Sequence, residues 1–234
     1  MTTTPPTDFV LPLPLLQGIE LYGWKPDPVR SRDSNYMDLC MIVTRYSQLK
    51  QGSMACILVR SYCCHQTEGS NNTNTNTNHG DKPDHDYEFQ FYKDILVVAN
   101  NMPFYKKNDS EIHAEIAAIG KASRQGLAID GATAYITMPP CKRCLPALSV
   151  AGIQRIVSRH PIIDKASLEA ISTRGMSYHQ IGQQEERMER INQLVKQYKE
   201  RNINENSNDN TTTKRETETN TEVEENQQKR TKRN

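Results

Sequence analysis

Four residues in the middle of the chain, His113, Glu115, Cys141 and Cys144, have the types and spacing of a metal-dependent catalytic site. The two cysteines are three residues apart at the start of a predicted helix, so both sulfurs point the same way. The positive end of a helix dipole favours thiolates over thiols. Two thiolates supply half of a tetrahedral zinc site, and at least one more ligand has to come from elsewhere in the chain.

His113 is the candidate third ligand, and Glu115 is the candidate proton carrier. The strand between their predicted helix and the cysteine helix can bring both helix N-termini to one edge of a sheet, where ligands gather in open α/β folds. Three protein ligands leave a position for water, and zinc can lower the pKa of that water to ~7. Glu115 can take a proton from the water and pass it on. These residues indicate hydrolytic chemistry.

The pattern His-Ala-Glu followed, after 24 intervening residues, by Pro-Cys-Lys-Arg-Cys resembles the signature of the zinc-dependent nucleobase deaminases of the cytidine/deoxycytidylate type. The resemblance covers roughly residues 34–160. It implies a three-layer α/β fold with a mixed sheet of about five strands sandwiched by helices. It also implies Zn2+ as cofactor, His113, Cys141 and Cys144 as metal ligands, and Glu115 as the catalytic proton shuttle.

The same resemblance implies substrate contacts at Asn100, Ala114 and Pro140. The stretch Asn-Asn-Met-Pro resembles the Asn-Gly-Met-Pro of deoxycytidylate deaminases, with Asn101 in the place of Gly, and Asn tolerates the left-handed conformation that Gly favours. Pro139 stands where deaminases of tRNA adenosine commonly have Glu, and this favours a cytosine substrate. We expect a hydrolase that attacks C4 of a cytosine nucleotide or nucleoside, releasing ammonia and leaving uracil.

Two other functions stay open at this stage. The aromatic and basic residues 104–107 could contact nucleic acid, which would make the protein an RNA or tRNA base (adenosine) deaminase. The same residues could bind one phosphate of a mononucleotide or form a solvated loop. A non-catalytic zinc-binding subunit that supports another deaminase is the alternative from a different class, and the presence of Glu115 favours an enzyme over it.

Hydrophobic periodicity predicts an α/β arrangement in which helices and strands alternate from residue 94 onward. Ser110 is the expected cap and Gly126 the expected stop of the helix that carries His113. Helices are predicted at 34–50, 110–126, 141–152 and 185–200, and strands at 54–62, 87–93, 94–100, 132–138 and 153–159.

Two segments rich in Asn, Thr and charged residues contain too few large apolar side chains to offset the entropy of ordering. We therefore expect a deaminase domain over residues 34–201, interrupted by a disordered insertion at 69–86. An extension over 1–33 would precede it, and a disordered tail over 202–234 would follow it. Residues 63–65 (Cys-Cys-His), with His79 and His85, could hold a second metal ion.

The composition favours a soluble intracellular protein, and the resemblance to deaminases adds the expectation of a small-molecule nucleotide or nucleoside substrate. The net charge of +1 provides no overall field for nucleic acid. The N-terminal stretch has no basic region of a signal peptide, no segment reaches the length of a membrane span, and six cysteines without a secretory signal indicate a reducing compartment. We expect a cytoplasmic location, with nuclear import through basic clusters at 214–215 and 229–233 as an alternative. Family members often assemble, so a homo-oligomer is a further expectation.

Overall fold

The structure is a computed structural model that describes residues 16, 18–49, 52–61 and 84–203. Residues 84–86 are described by their backbone alone. Residues 69–83 of the expected disordered insertion lie outside the described residues. Residues 204–234 of the expected tail also lie outside them. The nuclear import clusters also fall outside. The predicted domain boundaries stay predictions.

One mixed five-stranded sheet forms the centre of the fold, with the strands in the order β2-β1-β3-β4-β5. Strand β1 pairs antiparallel with both β2 and β3, whereas β3, β4 and β5 are parallel to one another. The strands are β1 (Ala55–Val59), β2 (Ile95–Asn100), β3 (Thr133–Ile136), β4 (Arg155–Ser158) and β5 (Ser177–Gln180). This sheet confirms the expected mixed α/β fold of about five strands.

Helices cover both faces of the sheet. The helices of the described chain as a whole are α1 (Arg32–Val43), α2 (Asp84–Lys93), α3 (Ala114–Arg124), α4 (Cys144–Val150), α5 (Lys165–Thr173) and α6 (184–203). On one face, the ring of Tyr36 in α1 lies 4.9 Å from that of Tyr135 in β3. On the other face, α3 packs on β1 and β2. None of the described helices is both long enough and apolar enough to cross a membrane.

Helix α3 approaches the sheet through small side chains. Ala114, Ala118 and Ala122, spaced four residues apart, are buried in the main hydrophobic cluster together with Cys56 and Ile136 of the sheet. By contrast, the side chain of Ile116 on the same helix is 40% exposed. The alanine face brings the backbone of α3 close to strands β1 and β2.

Residues 87–93 form part of helix α2, so the strand predicted there is wrong. The helix begins at Asp84, inside the segment expected to be disordered. The alternating aromatic residues also fit a helix, because Tyr87 and Phe91 are four residues apart. Phe91 is buried against Tyr36, with the rings stacked at 4.1 Å, and the Tyr36 hydroxyl donates to the Phe91 carbonyl oxygen at 2.9 Å.

The described chain divides into two compact units. The first contains residues 25–188 and the described residues up to 21, and therefore the whole sheet. The second contains residues 22–24 and 189–203, in which the rings of Tyr22 and Tyr198 meet edge to face at 5.7 Å. Strand β5 and helix α5 were not predicted. The segment of β5 is short, polar and largely exposed, and α5 buries only Ser167 and Ile171 on one face of an otherwise exposed helix.

Candidate metal and catalytic site

His113, Cys141 and Cys144 converge at the N-termini of two helices. The Nδ1 atom of His113 lies 3.6 Å from Sγ of Cys141 and 3.5 Å from Sγ of Cys144. Ligand atoms of the three residues all lie within 4.8 Å of one another. Residues separated by up to 31 positions in the sequence are therefore close enough to share one metal ion.

His113 is the N-cap of α3, with extended backbone angles and no side-chain capping bond. The predicted cap, Ser110, is wrong; its hydroxyl instead accepts a hydrogen bond from the side chain of Asn101 at 2.8 Å. Since the imidazole does not cap the helix, it is available to the cysteines. The stop at Gly126 is consistent with its positive φ of 64°, just beyond the end of α3.

The two cysteines lie on a turn that leads from β3 into α4. The helix begins at Cys144, not at Cys141 as predicted, and it is only seven residues long. The amide of Leu145 donates to the Cys141 carbonyl at 3.0 Å, which closes the turn and directs both sulfurs to the same place. Cys144 is buried and Cys141 is half-buried, so the group is reached from one side.

Glu115, the second residue of α3, is 3% exposed. Its Oε2 atom is buried and has no hydrogen-bond partner among the described residues. Burial raises the pKa of Glu115 above its ordinary value, and burial followed by the nearby Glu115 charge raises the pKa of Cys144. An unpartnered buried carboxylate oxygen is costly to maintain, and such costs are concentrated at functional sites.

The donor set fits zinc. Two thiols and one imidazole are ligands that zinc prefers, and three protein ligands leave one of four tetrahedral positions for a substrate or water. Metal binding converts thiols to thiolates, which offsets the penalty that burial places on the Cys144 thiolate. The unpartnered Glu115 oxygen lies next to these donors without being needed as a ligand.

Asn100 lies at the end of β2 and is only partly free to contact a substrate. Its Nδ2 atom donates to the carbonyl oxygens of Val43 and Met54, at 2.9 and 3.1 Å. The side-chain oxygen of Asn100 is therefore the atom that could meet a ligand. Asn100 also lines a groove of about 640 Å³, together with Met102 and Ile112.

Asn101 is a residue whose importance the sequence reasoning missed. It does not adopt the left-handed conformation. Its buried side chain donates to the carbonyl of Gly52 at 2.8 Å and accepts from the amide of Met54 at 2.8 Å, in addition to its bond to Ser110. The Asn101 side-chain amide therefore links residues 52–54, which lead into β1, to Ser110 in the loop before His113. No local sequence pattern predicts this role.

The side chains of Ala114 and Pro140 are buried. The Ala114 methyl group packs in the hydrophobic core, so a contact with substrate at either position would have to use the backbone. Both remain predictions. The candidates for a second metal site, residues 63–65 and His79, lie outside the described residues, as does the side chain of His85.

Residues 30–159, more than half of the chain, match the cytidine and deoxycytidylate deaminase zinc-binding region. The chain is a member of this family of zinc-dependent deaminases. The matched region contains the His/Cys/Cys group, in agreement with Zn2+ as the cofactor.

Among individual proteins, the deoxycytidylate deaminases of Enterobacteria phages T2 and T4 are each 48% identical to this chain over 48 residues. That stretch is 20% of this chain and 26% and 25% of the two phage proteins, so the chain matches about a quarter of their length.

Two solved structures are similar at low sequence identity. The dCMP deaminase of cyanophage S-TIM5 in apo form is 18% identical, with a TM-score of 0.45, and the match covers 66% of this chain and 99% of that one. The Rib2 deaminase of Aspergillus oryzae is 15% identical, with a TM-score of 0.43, over 71% of this chain and 100% of that one.

Proposed function

We propose that this protein catalyses the hydrolytic deamination of a cytosine nucleotide, dCMP or a close analogue, to the uracil form with release of ammonia. One observation carries the proposal: beside the converging His113, Cys141 and Cys144, the buried Glu115 carboxylate has an oxygen with no hydrogen-bond partner in the described part of the chain. Membership of the deaminase family supports it.

In this proposal, three residues of the chain bind the cofactor and a fourth transfers protons. His113, Cys141 and Cys144 would hold the zinc ion, which when bound would supply the Lewis acidity needed to activate a water molecule. Glu115 accepts one proton from the water that attacks C4 and delivers it to the exocyclic nitrogen, and the second proton of that water ends on N3 as the C4 carbonyl of uracil forms. The C4–O bond forms, the C4–N bond breaks, and ammonia leaves. The raised pKa of Glu115 suits a group that must both accept and return a proton.

The cytosine assignment rests on three features. The phage relatives with 48% identity over their matched stretch are named deoxycytidylate deaminases. Pro139 precedes Pro140, as in several deoxycytidylate-type members. The side-chain oxygen of Asn100 has no partner recorded among the described residues, and its position at the end of β2 suits a contact with the nucleoside.

The test is ammonia release by the zinc-replete protein from dCMP, CMP, dCTP, cytidine, deoxycytidine and a tRNA anticodon stem that contains adenosine. We expect turnover of a cytosine mononucleotide by the wild-type protein and none by Glu115→Ala with its zinc retained. Turnover of the RNA alone would replace the proposal with base deamination in RNA. Absence of turnover across the whole panel, with stoichiometric zinc, would instead indicate a non-catalytic subunit.

A further inference from the structure

A short loop over residues 103–111 lies immediately before the metal ligand His113. Met102 and Ile112 close it as an isolated antiparallel bridge, with the Met102 amide donating to the Ile112 carbonyl at 2.9 Å and the reverse bond at 3.1 Å. Because Ile112 is followed directly by His113, the base of the loop is held one residue from the metal site. The bridge residues also line the groove of about 640 Å³, a size typical of ligand pockets.

Glu111 organises this loop. Its Oε2 atom accepts hydrogen bonds from three consecutive backbone amides, those of Phe104, Tyr105 and Lys106, at 2.8, 2.5 and 2.9 Å. Charged acceptors make stronger hydrogen bonds than neutral ones, and three successive amides around an anion define the local backbone shape. The carboxylate is exposed and contributes nothing to the core, so its contacts serve the shape of the loop.

The loop displays an unusual set of side chains. Phe104 is 65% exposed and Tyr105 is 85% exposed, and their rings meet edge to face with centroids 4.6 Å apart. Lys106 forms an ion pair with Asp109 at 3.4 Å, whereas Lys107 has no ion-pair partner among the described residues. The loop thus holds two adjacent aromatic rings, and a cation with no ion pair in the described part of the chain, in a defined backbone shape beside a candidate active site. This set suits contact with a ligand that has both a ring and a negative charge.

We infer that Glu111 is a positioning residue that holds this loop as the substrate-recognition element of the enzyme, with Lys107 and the Phe104–Tyr105 pair contacting the sugar and phosphate of a nucleotide whose base occupies the metal site. The inference rests on the proposed deaminase function and deepens it: the substrate is phosphorylated, and the phosphate is bound outside the metal pocket.

The charge on the protein favours a single nucleotide over a polynucleotide. A strand of nucleic acid requires an extended positive track along its backbone. The chain has a net charge of only +1, and Lys106 is already paired with Asp109, which leaves Lys107 as the available cation within the loop. One cation is sufficient for one phosphate group.

The experiment compares kcat and KM for dCMP and deoxycytidine in wild type, Glu111→Ala, Glu111→Gln, Lys107→Ala and Tyr105→Ala, with zinc content measured for each. Glu169→Ala, which removes an exposed carboxylate from α5, is the matched control. We expect Glu111→Ala to raise KM for dCMP about tenfold while kcat and zinc content stay within about twofold, the loss typical of one charged contact. Glu111→Gln retains an oxygen acceptor and should restore most of the affinity.

The proposed phosphate contact is tested by comparing KM for dCMP with KM for deoxycytidine in the same variants. Lys107→Ala should raise KM for dCMP but not for deoxycytidine, and Tyr105→Ala should raise KM for both. Unchanged KM in all the loop variants, in a wild-type enzyme that turns over dCMP, would overturn the inference and leave the proposed function standing. A parallel fall in kcat and zinc content in Glu111→Ala would also overturn it, by showing that Glu111 supports the metal site.

Two further outcomes concern the substrate class. If the wild-type protein deaminates only a single-stranded oligonucleotide, and the loop variants lose that activity, the assignment to a single nucleotide is wrong. If the wild-type protein deaminates no cytosine compound at all, the proposed function fails, and the recognition role assigned to the loop fails with it.

Discussion

Asp38 and Arg187, which are 149 residues apart in the sequence, form an ion pair in which both side chains are almost completely buried. Arg187 also donates to the carbonyl oxygen of Ser34 at 2.8 Å and to its hydroxyl at 3.1 Å. On its other side, Asp38 accepts from Arg30 at 3.0 Å. This network attaches helix α1, which covers one face of the sheet, to the chain near residue 187.

Replacing Asp38 with Ala should destabilise the protein by about 3–5 kcal/mol, because it leaves the buried Arg187 without its carboxylate. Arg187→Ala should cost less, since Asp38 keeps its bond to Arg30. Urea unfolding of the two variants measures the difference. Asp109→Ala, on the exposed loop, is the control and should unfold like wild type. Equal losses in both variants would contradict the asymmetry.

Glu115→Gln should reduce kcat by about 10³-fold or more, because the amide cannot carry a proton between water and the leaving nitrogen. Zinc content should remain at the wild-type level. The metal-free variant should be at least as stable as metal-free wild type, since the substitution removes a buried carboxylate, one oxygen of which has no partner among the residues that the structure describes. Steady-state assays, metal analysis and thermal unfolding test the three parts. Residual activity near wild type would exclude Glu115 as the proton shuttle.

The full chain should bind about one zinc equivalent, and the double variant Cys141→Ala/Cys144→Ala should bind almost none. Loss of the ligands removes the binding free energy that stabilises the folded state, so chelation should lower the unfolding temperature of wild type only. Metal analysis of both proteins is the measurement. An equivalent that survives in the double variant would establish a second site, for which residues 63–65 are the candidates.

Gly152→Ala should be more destabilising than Gly131→Ala, although both residues have positive φ, at 86° and 75°. At position 131 the added methyl group meets nothing within 4 Å, so the cost is the backbone strain of about 1 kcal/mol. At position 152 it would lie 2.4 Å from Oδ1 and 2.9 Å from the backbone Cα of Asp130. The free energies of unfolding of the two variants, compared with wild type, distinguish the cost of backbone strain from the cost of steric overlap with Asp130. Equal values would show that the 130–131 turn shifts freely.

Asp33 should make the protein sensitive to acid. Burial opposes its ionisation, but hydrogen bonds from Arg155 and Tyr135 outweigh burial and hold the pKa of Asp33 below its ordinary value. Because the pKa of Asp33 is lower in the folded protein, ionised Asp33 stabilises the fold fully at pH values above its pKa in the unfolded chain, about 4. This stabilisation is lost as the pH falls through the pKa of Asp33 in the folded protein.

Asp33→Asn should therefore be less stable than wild type at neutral pH, and the difference should shrink as pH falls below about 4. Urea unfolding at a series of pH values gives the comparison. A difference between the two proteins that stays constant down to the acid limit would show that Asp33 is not the titrating group.

Much of the site was predictable because its ligands lie in short local patterns. The helix that carries His113 and Glu115, the following strand and the Cys-x-x-Cys turn were each read from residue types and spacing. The exact entry into each helix was less predictable: His113 and Arg143, not Ser110, occupy the N-cap positions. Neither has a side-chain capping bond, so the usual capping pattern was missing.

The strand predicted at 87–93 failed for a different reason. Alternating aromatic and polar residues fit a strand, but Phe91 finds its partner in Tyr36, 55 residues away. Burial against a distant ring outweighs the local preference for a strand, which is only a weak influence on structure. The fifth strand is β5 instead, whose short polar segment has no strong pattern of its own.

The sequence by itself determined the chemistry, because zinc ligation and proton transfer each require particular side chains, and those side chains stand at recognisable spacings. Only the tertiary structure decided that Glu115 is buried with an unpartnered oxygen, that Glu111 shapes the loop before the metal site, and that Asn101, Asp38 and Arg187 join distant segments. Burial and hydrogen bonding depend on residues that meet through folding, and no local pattern records which distant partner a polar group will find.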